Sequence, residues 1–379
     1  MSRLHIQRGL SLIELMISLT LGLLVLIAIG SLFLQSQRSY RQNDLRAGLQ
    51  DQARYALAEL SRELAMAGYW GGVYGADVIA PNPADANPLN DATSASVGLP
   101  PSLDCGAAAD QPWALLAQPR LEFHDQTDAT AVEDRWRCIG DWRPGTDVVA
   151  LRRVSAQTAA RYEAGAASVS LLPHHFYLQT NATQGSLIRW PGVAAGLPAA
   201  TDEPLLPPMR FHRYLPRIYF IRNHLRQAGD GIPSLCRKTL CDSGFSGAAD
   251  PEQARCEGGA ASAAGIYSEC IAEGVEDLQL SWGLDSDGDD AVDRYTDTPS
   301  PQELREQVVL VQLHLRVRSR EGDPAHLDRH RYELGNAVPF EPLAVDDGDL
   351  PAAQQARHQY RRVYSTTIKL QNPVHGLPP

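Results

Sequence analysis

The sequence predicts an α+β protein: a long N-terminal helix, membrane-spanning in its first half, packed on a C-terminal antiparallel β-sheet head with long loops. Three observations predict it. An apolar run from Leu10 to Leu34 passes without a break into an amphipathic stretch that ends near Ala67. Strand-like patterns begin only at Asp147. Between the two lies a stretch rich in Gly, Pro, Ala, Asn and Asp.

The N-terminal element is the most informative. Residues Met1 to Gly9 are short and polar, with Arg3 and Arg8 and no acid, and the apolar run that follows carries a single charge, Glu14. A helix of about 25 residues spans roughly 37 Å, enough for a hydrocarbon core of about 30 Å. The arginines ahead of it place the N-terminus in the cytoplasm, so residues after about 40 are expected in the periplasm or beyond. A secretory signal has a shorter apolar region and a small-residue cleavage site, which this run lacks. A plain signal anchor fits the hydropathy but does not explain Glu14. A carboxylate in an apolar span costs about 2.5–3.5 kcal/mol at the helix centre, less near an end, and is retained for a purpose. A cut after Gly9 would create a positive amine on Leu10, about one turn from Glu14 and its natural partner on the same or a neighbouring subunit.

Arg8-Gly9-Leu10-Ser11-Leu12-Ile13-Glu14-Leu15-Met16 resembles the cleavage motif of type IV prepilins and pseudopilins. The resemblance implies peptidase cleavage after Gly9, methylation of the new terminus at Leu10, and a role for Glu14 in docking subunits into a filament. The motif usually has phenylalanine at the first mature position; here it is leucine.

The amphipathic continuation places Leu45, Leu49, Ala53, Ala56, Leu60, Leu64 and Ala67 on one face at three- and four-residue steps. Arg46, Arg54, Glu59, Arg62 and Glu63 are expected around it as the polar surface, and Gly68 as the C-cap. The expected division is a leader over 1–9, a membrane and filament-core helix over 10–34, an amphipathic helix over 35–70 and a β-rich head over 71–379. In the head, Asp147–Val154, Arg217–Arg222, Val275–Leu284, Val309–Val317 and Tyr364–Leu370 read as strands. Residues 71 to about 145 and 156–210 read as loops and insertions. Ala67-Gly68-Tyr69-Trp70-Gly71, Tyr219-Phe220-Ile221, Val275-Glu276-Asp277-Leu278-Gln279-Leu280 and Thr366-Thr367-Ile368-Lys369-Leu370-Gln371-Asn372 are similar to segments of the PilW family of minor pilins.

The six cysteines, Cys105, Cys138, Cys236, Cys241, Cys256 and Cys270, all follow the apolar run, so an oxidising compartment suggests up to three disulfides. Sequence leaves 15 pairings open. Nearest neighbours give Cys105 with Cys138, Cys236 with Cys241 and Cys256 with Cys270, and a four-cysteine zinc site from Cys236 onward is the alternative.

Asp285-Ser286-Asp287-Gly288-Asp289-Asp290-Ala291-Val292-Asp293 places carboxylates at alternate positions. Asp285, Asp287, Asp289, the Ala291 carbonyl and Asp293 match positions one, three, five, seven and nine of a calcium loop. Position six is Asp290 rather than glycine and position twelve is Thr296 rather than glutamate. A solvated acidic hairpin connection is the competing reading, and calcium is the only cofactor suggested.

Nothing points to catalysis. His174 and His175 would face opposite ways in a strand, Asp242-Ser243-Gly244 has no assignable base, and the Asn181-Ala182-Thr183 sequon is taken as accidental. A net charge of −11 argues against direct nucleic-acid binding. The expectation is a non-enzymatic minor pilin, held in the inner membrane and then displayed on the pilus. The resemblance implies as partners other minor and major pilins, the prepilin peptidase and the inner-membrane assembly platform, with roles in twitching, adhesion or DNA uptake. The alternatives are a minor pseudopilin of a type II secretion system, a calcium-dependent adhesin at the pilus tip, and a membrane-anchored periplasmic enzyme.

Overall fold

Helical periodicity and strand alternation resolve into two compact units in the computed structural model, residues 1–48 and 49–379. The structure describes residues 11–73, 79–80, 99, 103–106, 113–127, 132–162, 171–172, 175–181, 184–190, 209–241, 245–246, 255–256, 264–346, 348 and 355–372.

The first unit consists of the opening part of helix α1 (Leu12–Ala65). Its apolar stretch has a mean hydropathy of 2.6 over 18 residues, long and apolar enough to cross a membrane. Residues 11–41 are exposed. The few hydroxyls in it are satisfied by the helix itself: Ser18 donates to the Glu14 carbonyl at 2.7 Å, Thr20 to Ile17 at 2.9 Å and Ser31 to Ala28 at 2.8 Å. These internal bonds spare an apolar medium any unpaired donor.

In the second unit the remainder of α1 buries Leu49, Ala53, Ala56, Leu60 and Leu64, the stripe read from the sequence. Gly68, at φ 75°, ends the helical path in the left-handed region, and its N–H donates to the Arg152 carbonyl at 2.9 Å. The following elements are β1 (Ile79–Ala80), β2 (Leu121–His124), α2 (Val132–Arg135), β3 (Val148–Tyr162), β4 (Phe176–Thr180), β5 (Gly185–Arg189), β6 (Met209–Arg222), β7 (Ser234–Cys241), β8 (Phe245–Ser246) and β9 (Arg255–Cys256). Then come β10 (Gly265–Glu273), β11 (Val275–Leu284), β12 (Arg294–Thr296), α3 (Pro301–Glu306), β13 (Val308–Arg318) and β14 (Arg361–Lys369).

An eight-stranded sheet has the order β1-β5-β4-β6-β3-β2, with β7 also paired to β6 and β10 to β7. Only β1 and β5 pair in parallel among its described ladders. A four-stranded antiparallel sheet has the order β12-β11-β13-β14, and β8 and β9 form a two-stranded piece. This is the α+β architecture expected, with antiparallel sheets behind the helix. The five strands read from the sequence correspond to β3, β6, β11, β13 and β14, of which β3 and β6 are longer than the patterns marked. The stretches read as loops hold β2, β4 and β5.

Asp147, just ahead of β3, joins the two large sheets. Its N–H donates to the Leu278 carbonyl at 2.9 Å, and its carboxylate accepts from Leu280 N–H at 2.8 Å and Gln126 N–H at 3.0 Å. Phe123 on β2 and Trp282 on β11 meet edge to face beside it, 5.3 Å between centroids.

Three disulfides link Cys105 to Cys138, Cys236 to Cys270 and Cys241 to Cys256. The first is a nearest-neighbour pair; the other two correct the expectation. Cys236 and Cys241 lie five residues apart on β7, so they face opposite sides and stand roughly 16 Å apart, beyond the reach of a disulfide. Antiparallel pairing of β7 with β10 instead sets Cys236 opposite Cys270. With all four cysteines oxidised, no thiolate is left for the zinc site considered as the alternative.

Candidate functional site

The helix start brings Ser11 and Glu14 together. Ser11 N–H donates to Glu14 Oε2 at 3.0 Å, and Glu14 N–H donates to Ser11 Oγ at 3.3 Å. This is a reciprocal capping box in a Ser-x-x-Glu pattern, and it sets the carboxylate against the positive end of the helix dipole. The Ser-x-x-Glu spacing is itself visible in the sequence. It gives the single acid of the apolar stretch a partner inside its own helix. Gly9 and Leu10, the residues of the cleavage motif, lie outside the described residues.

Further along α1, in the second unit, Glu59 and Glu63 are buried rather than on the polar surface, which corrects the sequence reading. Arg153 on β3 donates to Glu63 through Nε at 2.9 Å and Nη2 at 2.5 Å, and Arg217 on β6 lies 2.6 Å from Glu63. Glu59 accepts from Arg237 on β7 at 2.7 Å and from the Tyr219 hydroxyl at 3.3 Å. Burial alone would raise Glu63, but the Arg153 hydrogen bond and the charges of Arg217, Arg153 and Arg62 hold it below the usual carboxylate value. The helix is thus keyed to the sheet by ion pairs as well as by its apolar stripe.

A second buried cluster lies where β11, β13 and β14 meet. Glu276 accepts from Arg361 at 2.8 and 3.0 Å and from Arg316 at 3.3 Å, and Arg361 also reaches Asp328 at 3.3 Å. Desolvation opposes its charge, yet Arg361, Arg318 and Arg316 pull Glu276 down to about 2. The cluster anchors the long connection between β13 and β14 through Asp328, which also accepts from the Tyr332 hydroxyl at 3.0 Å.

The acidic segment forms the connection of the β11–β12 hairpin. Ligand atoms of Asp285, Asp287 and Asp289 lie within 4.8 Å of one another. Asp285 accepts from Gly288 N–H at 2.6 Å, Asp290 N–H at 2.8 Å and Asp287 N–H at 3.2 Å. Although desolvation raises Asp285, these donors hold it below its ordinary value. The Asp289 N–H lowers Asp287, but the carboxylates of Asp289, Asp293 and Asp285 crowd it, and its net shift is upward. Asp293 accepts from Ser286 N–H at 2.7 Å and so closes the base of the loop. Asp290, at φ 64°, takes the turn that glycine would take at position six. Thr296, at position twelve, is held in β12 opposite Trp282, and Glu303 nearby is engaged in the capping box of α3. The loop therefore offers three converging carboxylates and no bidentate glutamate.

The remaining sequence candidates are not brought together as a catalytic set among the described residues. His175 stands just ahead of β4, while His174 and Asp242-Ser243-Gly244 lie outside the described residues. Asn181 is fully buried, and Ala182 and Thr183 lie outside the described residues.

Residues 4–30 match the model of the prokaryotic N-terminal methylation motif, and residues 218–372 match that of the type IV pilus-assembly protein W, PilW. The first match spans Gly9, Leu10 and Glu14; the second runs from the middle of β6 past the end of β14. No curated protein and no solved structure matches the chain. The chain is thus similar to the methylation motif at its N-terminus and to PilW over its C-terminal part.

Proposed function

We propose that this chain, with a methylation motif ahead of its apolar helix and a PilW region behind it, is a minor pilin that primes or joins a type IV pilus. The observation that carries the reading is the match over residues 4–30, which falls on the exposed apolar stretch of α1, where the only acid is Glu14. Prepilin peptidase cuts after Gly9, Leu10 becomes the methylated terminus, and the head waits in the periplasm on a single membrane helix. Within the uncut helix Glu14 is satisfied by Ser11; after the cut, the amine of a neighbouring subunit is the stronger, charge-bearing partner. Exchange of the first for the second would favour packing beside other pilins over free diffusion in the membrane. The assembly platform and other minor and major pilins are the partners of this step.

Intact mass and N-terminal sequencing from cells with and without prepilin peptidase test the reading. A chain beginning at Leu10 only when the peptidase is present is expected. A chain beginning at Met1 in both strains would reduce the protein to a signal-anchored one. Glu14→Ala is expected to leave cleavage intact and abolish recovery of the chain in sheared pili. Recovery with type II secretion filaments instead would assign the pseudopilin alternative.

A second reading concerns the hairpin loop, where like-charged carboxylates are held close enough for one hard cation. We propose that Asp285, Asp287 and Asp289 bind calcium weakly, with Asp293 and the Ala291 carbonyl in support and water completing the shell. Titration calorimetry with calcium on the full chain in detergent should show one site, lost in Asp287→Asn. Heat equal in the two proteins would leave the loop as an acidic turn.

A further inference from the structure

We propose that the free edge of β14 is a strand-accepting site for an extended, acidic segment of another protein chain. The pairing geometry fixes which backbone groups are available. Leu370 N–H donates to the Val309 carbonyl and Ser319 N–H to the Tyr360 carbonyl. With the unbroken register from Leu310↔Lys369 to Arg318↔Arg361, this parity turns the backbone of even-numbered β14 residues toward β13. The odd-numbered residues Arg361, Val363, Ser365, Thr367 and Lys369 turn theirs away. β14 is terminal in its sheet, and among the described residues none of those five has a backbone hydrogen-bond partner.

The result is a template about 30 Å long over nine residues, without the bulge that breaks the other nine-residue terminal strand, β10. Arg362, Ser365, Thr367 and Lys369 are exposed on it, so no described loop lies across them. Tyr364, Thr366 and Ile368 supply the β-branched and aromatic surface that cross-strand neighbours pack on.

Charge selects the occupant. β14 contains Arg361, Arg362 and Lys369 and no acid. Arg361 is committed to Glu276 and Asp328, but Arg362 and Lys369 have no carboxylate partner among the described residues. A second copy of this strand would bring only basic side chains to basic side chains, so the two cations guard the edge against self-pairing. An extended segment with carboxylates about seven positions apart would meet both. The reading of the chain as a filament subunit makes another pilus component the source of that segment; the edge itself is independent of that reading.

The test uses the full chain in detergent micelles and two fluorescein-labelled nine-residue Val/Thr peptides, one with glutamates and one with lysines seven positions apart. The glutamate peptide is expected to bind and to slow hydrogen exchange at the odd-numbered β14 amides, and the lysine peptide to bind about tenfold more weakly. Thr367→Pro removes an outward donor without touching the β13 ladder, so it should abolish binding at an unchanged unfolding midpoint. Lys369→Glu should narrow or reverse the preference between peptides, and it decides the matter if the proline variant does not fold. Equal binding to Thr367→Pro, or no binding by a wild-type chain whose even-numbered amides are protected, would overturn the proposal. Peptide binding by a chain that cells leave uncut at Gly9 would keep the edge and discard the pilus as its setting. Normal pilus incorporation without peptide binding would do the reverse.

Discussion

Glu63 and Arg153, 90 positions apart in the chain, meet in a two-pronged hydrogen bond, Nε to Oε2 at 2.9 Å and Nη2 to Oε1 at 2.5 Å. The pair fixes the rotation of the helix relative to β3 in a way that an apolar stripe cannot, because a charge left without its partner in the interior is far costlier than a displaced methyl group.

Glu63→Ala is accordingly expected to cost about 3–5 kcal/mol, since it strands Arg153 and weakens the hold on Arg217. Arg62→Ala, at a side chain 63% exposed, should cost under about 1 kcal/mol although it contacts the same two glutamates. Urea denaturation of both variants measures the contrast. Equal effects would show that the buried pairing does not fix the helix.

The head should lose stability in acid. Glu63 and Glu276 both have folded values below the ordinary 4.5, Glu276 at about 2. Their contribution is therefore complete above about 4.5 and is lost as pH falls through the lowered values. For Glu276 the shift corresponds to about 3 kcal/mol between pH 4.5 and 2. Glu276→Gln should lower stability at pH 7 and flatten that acid limb. Asp147 has the opposite sign. Burial, outweighing the Gln126 and Leu280 N–H donors and joined by the charges of Asp125 and Asp277, holds it well above its ordinary value. Its favourable contribution belongs to the protonated form and is lost as pH rises through the folded value. Denaturant midpoints from pH 2 to 8 for wild type, Glu276→Gln and Asp147→Asn separate the two.

Gly68→Ala should destabilise by about 1–3 kcal/mol. Its φ of 75° disfavours any side chain, and an added Cβ would stand 2.8 Å from Arg120 Cδ. Gly229, at φ 87° with open space around it, should show only the smaller backbone cost on the same change. Thermal unfolding of the two variants compares them.

Non-reducing peptide mapping should recover Cys236 joined to Cys270 and Cys241 joined to Cys256. Replacing Cys236 and Cys270 together by serine is expected to cost about 2–5 kcal/mol. Recovery of a Cys236–Cys241 peptide would mean that both residues cannot occupy the same regular strand.

The elements legible in the sequence are those with one wet face. Val309 to Val317 alternates because β13 is half-buried, and α1 shows its stripe because only one side packs. β4 is buried along its whole length and β5 nearly so, so Phe-Tyr-Leu-Gln-Thr and Gly-Ser-Leu-Ile-Arg show no period of two. β7 hides Lys238 and Thr239 among apolar neighbours, so Ser234–Cys241 carries no alternation to mark it as a strand. Glu59 and Glu63 looked like solvent-facing acids because their partners, Arg153, Arg217 and Arg237, are 90 to 178 residues away. At the N-terminus the reverse holds. Ser11 and Glu14 pair across three residues inside one helix, a spacing that a sequence states directly.

The last described turn of the chain carries a consequence for biogenesis. Gln371 N–H donates to the Ala65 carbonyl and the Asn372 side-chain amide to the Ala67 carbonyl, contacts that span 305 residues in the second case. The end of the helix, made early in synthesis, is therefore completed by residues made some 300 positions later. Ribosomes deliver the chain at about 5–20 residues per second. The end of the helix must therefore wait roughly 15–60 s of synthesis for the residues that complete it, a stretch of time in which its carbonyls stay open to other partners.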